Sequence, residues 1–389
     1  MTDTPRTRAH LVLADGTVFE GESFAKKGVV TGEAVFSTPA TGYEESITDP
    51  SFYGQVLVLT SPEIGNVGIT LNDAESRDGA PKIRALVTRS LSPIPSNYRS
   101  RTTLEAYLEE HGVVGITGVD TRRLTHHLRT HGSQACAVGT APVVDLAKAA
   151  REAPSMEGQN LLPFVTPTEA YSFSEGRGEW TSDERPSTAP LEGPKPKVVV
   201  LDFGTKKNIL RHLVDLGCDV TVMPASASAS DVLAHDPDGI FLTNGPGDPA
   251  TATEAIATVK ALLGTRPVYG ICLGHQLLGL ALGGRTFKLK FGHRGVNQPV
   301  VEVSTNKVEI TAQNHGFCVD ADSLPAEVVA THRHLNDGTL EGLEVPRLRA
   351  ASVQFHPEAA AGPHDSTGFF GRFLVAVLEQ RSQRTSPPA

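Results

Sequence analysis

From residue 197 onward the chain alternates short, uninterrupted apolar runs with stretches of helical periodicity. No other feature restricts the fold as much. "KVVVLDFG" at 197–204 is β-branched with no polar side, as a strand covered on both faces must be. In "KKNILRHLVDLG", Ile209, Leu210, Leu213 and Leu216 fall on one helical face. "CDVTVMP" reads as a strand, "SASDVLAHDP" as a short capped helix, and "GIFLTNGPGDP" as a strand entering a turn. "PVYGIC" is a further strand, followed by a helix of Leu and Ala. Strands alternating with helices predict a doubly wound, mostly parallel sheet. Ligands of such sheets sit beyond the carboxyl ends of the strands, so the residues just after each strand are the ones to inspect.

The N-terminal part reads differently. "LVLADGTVFEGES" at 11–23 alternates apolar and polar residues around Asp15-Gly16, a hairpin signal. Further β-like runs, "GEAVFST" and "QVLVLTSP", precede two helical stretches. "TTLEAYLEEHG" starts at a capping Thr and ends at Gly112; "VDTRRLTHHLRTHG" has Asp120 to cap its start and Gly132 to end it. With 389 residues, two domains are expected. The division read from the pattern is a mixed α/β domain over 1–160, a linker over 161–196 rich in Ser, Thr, Pro and Gly, and the parallel-sheet domain over 197–389.

A net charge of -9 argues against nucleic-acid binding as the main activity, because phosphate contacts need concentrated Lys and Arg. Cys136, Cys218, Cys272 and Cys318 are far apart and form no C-x-x-C pair, which suits a reducing compartment rather than a disulfide framework or zinc cage. The N-terminus lacks the apolar core of a signal peptide, and no apolar run approaches the roughly 20 residues that span a bilayer. The expected location is the cytoplasm.

Three stretches carry candidate chemistry. In "VYGICLGHQLLGLALGG" (268–284), Cys272 stands at a strand-to-helix turn flanked by Gly270 and Gly274. A thiol attacks as thiolate, and a helix N-terminus beneath the sulfur favours the anion. The alternative is a small cysteine buried in a packed turn, which this stretch alone does not exclude. In "QFHPEAA", His356 and Glu358 lie two apart at the end of a strand, a spacing that on extended backbone sends both side chains to one side. A histidine oriented by a carboxylate is the base a cysteine nucleophile needs; alone, the pair reads as a solvated turn. In "NGPGDP" (244–249), Gly245 and Gly247 can offer unobstructed backbone N–H groups to an oxyanion, or simply shape a tight turn.

Together, "NGPGDP", "GICLGHQ" and "HPEA", in that order and spacing, resemble class I (triad-type) glutamine amidotransferases. The resemblance implies Cys272 as nucleophile, His356 as general base, Glu358 as its orienting carboxylate, and the backbone of Gly245 and Leu273 as oxyanion hole. "KFGHRGVNQPV", "TAQNHGFCVD", "TGYEESITDPSFYGQ", "GNVG" and "GVDTRRLTHHLR" resemble the carbamoyl-phosphate synthetase small-subunit family in particular. That likeness covers nearly the whole chain, least in the linker and at the two ends. It implies a glutamine pocket of Ser51 from the first domain and Gly245, Gly247, Leu273, Gln276, Asn314, Gly316 and Phe317 from the second. Free glutamine carries both an ammonium and a carboxylate, and backbone amides, a hydroxyl and side-chain amides satisfy both.

The implied reaction is glutamine hydrolysis through a cysteinyl thioester, with ammonia delivered to a carbamoyl-phosphate synthetase large subunit for arginine and pyrimidine synthesis. The implied assembly is a heterodimer, with room for a higher oligomer of heterodimers. No cofactor is expected in this chain: it carries no G-x-x-x-x-G-K-[ST] run, so ATP and Mg are expected on the large subunit. A stand-alone hydrolase of γ-glutamyl compounds and a non-catalytic scaffold are the rival readings. His126, His127 and His131 cluster on one helix and are expected to form a polar face rather than a metal site. Cys318 is expected in the core, and "FFGRFLVAVLEQ" as a closing helix.

Overall fold

The computed structural model describes residues 6–178 and 193–385 and divides into two compact units, Met1–Gln159 with Leu289–Gly295, and Asn160–Lys288 with Val296–Ala389. The first is built on seven strands: β1 (Arg8–Leu13), β2 (Val18–Ala25), β3 (Val29–Ser37), β4 (Gln55–Leu59), β5 (Ala85–Val87), β6 (Val114–Thr117) and β7 (Gln134–Gly139). They close into a barrel in the order β1-β2-β6-β5-β4-β3-β7, with β7 returning to β1. β1 and β2 form the hairpin expected at Asp15-Gly16, and Gly16 takes the left-handed φ of 90° that the tight turn requires.

Alternate residues of the strands meet in one apolar cluster, among them Leu11, Phe19, Phe36, Val56, Val87, Ile116 and Val138, so the barrel is a packed core. The intervening residues of β3, β4 and β5 (Val35, Leu57, Leu86) pack under helices α1 (Tyr43–Thr48) and α2 (Leu104–Glu110). Helix α3 (Thr121–His131) starts at Asp120, whose side chain accepts from Arg123 N–H, and adds Leu124 and Leu128 to the barrel cluster. Helix α4 (Val143–Glu152) covers Val12 and Ala137 with Leu146 and Ala150.

The second unit contains one ten-stranded sheet. Its strands are β8 (Tyr171–Phe173), β9 (Lys197–Asp202), β10 (Asp219–Pro224), β11 (Gly239–Leu242), β12 (Val268–Ile271), β13 (Arg285–Glu302), β14 (Lys307–Asp320), β15 (Val329–His334), β16 (Leu340–Val345) and β17 (Ala350–Val353), in the order β14-β13-β15-β16-β17-β12-β11-β9-β10-β8. β10, β9, β11, β12 and β17 are parallel, which is the doubly wound part; β16 and β15 extend it antiparallel.

Both faces are covered, as the apolar runs demand. On one face Val199, Leu201, Ile240 and Leu242 pack on α6 (Ala229–Ala234), α7 (Thr253–Leu262) and α8 (Leu273–Ala281). On the other, Val198, Val200, Phe241 and Ile271 pack on α5 (Lys207–Asp215) and on the closing helix α9 (Gly368–Thr385), through Ile209, Leu213, Phe370 and Phe373. No described helix is long and apolar enough to cross a membrane.

The stretch read as a linker needs a correction. Tyr171–Phe173 forms the edge strand β8, antiparallel to β10, and Arg177 Nε lies 2.6 Å from Asp215 Oδ2 beside it. Two aromatics flanking a serine are a strand pattern too short to stand out among Ser, Glu and Gly. Leu162–Phe164 forms a 3-10 turn with Leu162 buried, and residues 179–192 of the stretch lie outside the described residues.

Candidate active site

Four parallel strands end on the same side of the sheet, and the residues just beyond them supply the site. After β12 the chain turns into α8 within one residue, Cys272, whose φ of 55° and ψ of -105° are unusual for a side-chain-bearing residue. Such a backbone state costs about 1–3 kcal/mol and persists only where its surroundings enforce it. The glycines beside it have no room for a side chain. A Cβ on Gly270 would lie 2.8 Å from the Gly274 backbone, and one on Gly274 would lie 2.5 Å from the Leu242 carbonyl oxygen. α8 thus starts pressed against β11, and the Gly274 N–H donates to the Thr243 carbonyl at 2.9 Å.

Leu273 is the first residue of α8, so its N–H has no carbonyl within the helix to bond. Gly245 is its neighbour: a Cβ there would meet the Leu273 side chain at 2.8 Å and the Phe203 carbonyl at 2.1 Å. Only glycine fits at 245. Gly247 takes a φ of 95° in the turn that follows.

The strand expected to carry His356 and Glu358 ends earlier, at Val353. His356 is held instead by an isolated antiparallel bridge to Ala312, its N–H donating to the Ala312 carbonyl at 2.9 Å, and Glu358 follows in a turn. The two side chains meet by this turn rather than by extended backbone: His356 Nδ1 is 2.6 Å from Glu358 Oε1. Both are fully enclosed, at 2% and 0% exposure.

Burial alone lowers the imidazole, but Glu358 and Cys272 outweigh it and raise His356 to about 10. Burial likewise raises Glu358, and His356 and Lys206 together bring it well below the ordinary carboxylate range. No formed hydrogen bond joins His356 Nε2 to the sulfur, yet Cys272 is close enough to favour the protonated ring.

Lys206 belongs to none of the three motif stretches. It lies just before α5, buried, with Nζ 3.0 Å from Glu358 Oε1 and 2.9 Å from the Ala360 carbonyl. Asn208 Nδ2 donates to the Glu358 carbonyl at 2.6 Å. The sequence marks either residue only by position, two and four residues past Gly204 in the turn after β9, which is buried from Val198 onward.

The other expected residues divide cleanly. Cys272 Sγ lies 3.7 Å from the Asn314 carbonyl, and Gln276 Nε2 donates to the Phe317 carbonyl at 2.7 Å. Asn314, Gly316 and Phe317 all lie on β14, with His315 between the first two. Cys318 is fully buried. Ser51 belongs to the first unit, in a short 3-10 turn (Pro50–Phe52), where its N–H donates to Asp49 Oδ1 at 2.8 Å. His127 is on the first unit too, with Nε2 2.6 Å from Asp15 Oδ2 and its ring centroid 4.5 Å from that of His131.

A family model described as glutamine amidotransferase class-I matches residues 199–376, and one described as carbamoyl-phosphate synthase small chain, CPSase domain, matches residues 11–138. The chain is 50% identical over 379 residues to the carbamoyl phosphate synthase small chain of Syntrophotalea carbinolica, covering 97% of this chain and 100% of that one. The small chain of Thermosynechococcus vestitus is 50% identical over 384 residues, covering 97% and 98%. That of Nitratidesulfovibrio vulgaris is 49% identical over 381 residues, covering 96% and 99%.

Proposed function

The chain belongs to the carbamoyl phosphate synthase small chain family, and from that premise we propose that it is the glutaminase subunit of a glutamine-dependent carbamoyl-phosphate synthetase. The observation that carries the chemistry is the enclosed row Cys272, His356, Glu358, with the charge of Glu358 held by Lys206.

The Cys272 thiolate attacks the side-chain carboxamide carbon of L-glutamine, and the N–H groups of Gly245 and Leu273 receive the oxyanion. His356 carries a proton at neutral pH and gives it to the leaving nitrogen; the C–N bond breaks, ammonia departs, and a γ-glutamyl thioester remains. Water then adds to the thioester carbon as His356 takes its proton. The C–S bond breaks and glutamate leaves, which restores thiolate and imidazolium. Ser51, Gly247, Gln276, Asn314, Gly316 and Phe317 are assigned to holding the amino acid.

The ammonia goes to a large subunit that holds ATP and Mg and uses bicarbonate, the product feeding arginine and pyrimidine synthesis. The cytoplasm is the assigned compartment, and a heterodimer, alone or repeated, the assigned assembly. The test is glutamate release from glutamine by the purified chain, alone and with its large subunit, ATP and bicarbonate, beside Cys272→Ala. We expect weak activity alone, strong stimulation by the partner and none in the variant. Full activity that no partner changes would make the chain an independent hydrolase of γ-glutamyl compounds.

A further inference from the structure

Gln276 follows Cys272 by one helical turn, its N–H bonded to the Cys272 carbonyl at 3.1 Å, and is 3% exposed. Its amide nitrogen donates to the Phe317 carbonyl at 2.7 Å and to Gln354 Oε1 at 3.0 Å. A primary amide has two N–H donors, so the protein consumes both. What remains for a ligand is Oε1, which only accepts. Reversing the amide is ruled out, because Oε1 would then face the Phe317 carbonyl oxygen.

Gln354 makes this orientation firm at a cost to itself. It is fully buried just past β17, and its own Nε2 finds no partner among the described protein atoms. A buried amide nitrogen left unpaired is unfavourable. Turning Gln354 around would set its NH2 against that of Gln276, donor against donor. The arrangement satisfies Gln276 and leaves Gln354 short.

We propose that Gln354 is a specificity-determining positioning residue: by accepting from Gln276 it fixes that side chain as an acceptor that selects the substrate through an N–H donor. The inference rests on the glutaminase reading above. Glutamine offers two such donors, the α-ammonium and the carboxamide NH2. If the carboxamide is the one bound, the product glutamate loses the contact, because its γ-carboxylate has no hydrogen to give.

The test uses the full chain with its large subunit, ATP and bicarbonate, and follows glutamate release by wild type, Gln354→Leu and Gln354→Glu. L-Glutamine is compared with 4-carbamoylbutanoate, which lacks the α-amino group and is measured as substrate or competitor. Gln354→Leu should raise KM for glutamine roughly tenfold with kcat changed less than about threefold, as expected for lost ground-state binding. Gln354→Glu keeps an oxygen facing Gln276 and should return KM to within about threefold of wild type.

An equal loss of affinity for both ligands in Gln354→Leu assigns the carboxamide; a loss confined to glutamine assigns the ammonium. KM unchanged in Gln354→Leu overturns the proposal, and so does an equal KM defect in a Gln354→Glu protein that unfolds at the wild-type temperature. If Gln354→Leu is too unstable to assay, Gln354→Met, of similar length and without the acceptor, carries the same prediction. A wild type that releases no glutamate with its partner would sink the glutaminase reading instead.

Discussion

Glu358 is the residue on which the electrostatics of the site converge: one oxygen meets both His356 and Lys206, at 2.6 and 3.0 Å, with all three buried. Removing one member of such a cluster leaves a buried charge uncompensated. Lys206→Met should therefore destabilise the protein by about 3 kcal/mol in urea unfolding, whereas a surface ion pair would barely register. The same pair sets a pH window. His356 is raised from 6.5 to about 10, so its contribution is full below 6.5 and is lost as pH climbs through about 10. Glu358 is lowered from 4.5, so its contribution is full above 4.5 and is lost as pH falls through its lowered value. Unfolding free energy measured from about pH 2 to pH 10 should form a plateau between 4.5 and 6.5 that declines on both sides, and Glu358→Gln should flatten it.

At the scale of elements, the turn from β12 into α8 depends on close approach, not only on residue type. Gly274→Ala would put a methyl group 2.5 Å from the Leu242 carbonyl and force α8 away from β11. We expect a loss of about 1–3 kcal/mol of stability with glutamine hydrolysis down at least about tenfold. The contrast is α6, whose capping box joins Ser228 and Asp231 and which carries no site residue. Ser228→Ala should cost about 1 kcal/mol in thermal or urea unfolding and leave glutamine turnover unchanged.

At the scale of the whole molecule, the two units are not consecutive pieces of chain. Leu289–Gly295, in the middle of β13, belongs to the first unit: Phe291 stacks on Phe36 at 6.0 Å, and the Ser133 N–H donates to the Lys290 carbonyl at 2.8 Å. A fragment spanning Asn160–Ala389 would carry this segment without its partners. Amide exchange over Leu289–Gly295 should be protected in the full chain and fast in the fragment, even where the parallel strands stay protected.

What depends on neighbours along the chain is legible before any folding. Runs such as "VVVL" require strands covered on both faces; Asp120, Thr103 and Ser228 mark helix starts; and the glycines around Cys272 mark an elbow. These follow from periodicity, capping and φ, which act over a few residues. The sequence also places the three motif stretches at strand ends, since α/β order fixes on which side of the sheet they emerge. That Lys206 reaches Glu358, 152 positions later in the chain, and that Gln354 uses up a donor of Gln276 emerge only once the chain has folded. The same holds for "YSF" in a polar stretch becoming an edge strand, and for part of β13 joining the barrel unit. Those are pairings between groups remote in sequence, settled by which buried polar atoms and apolar side chains find partners once the sheets have formed.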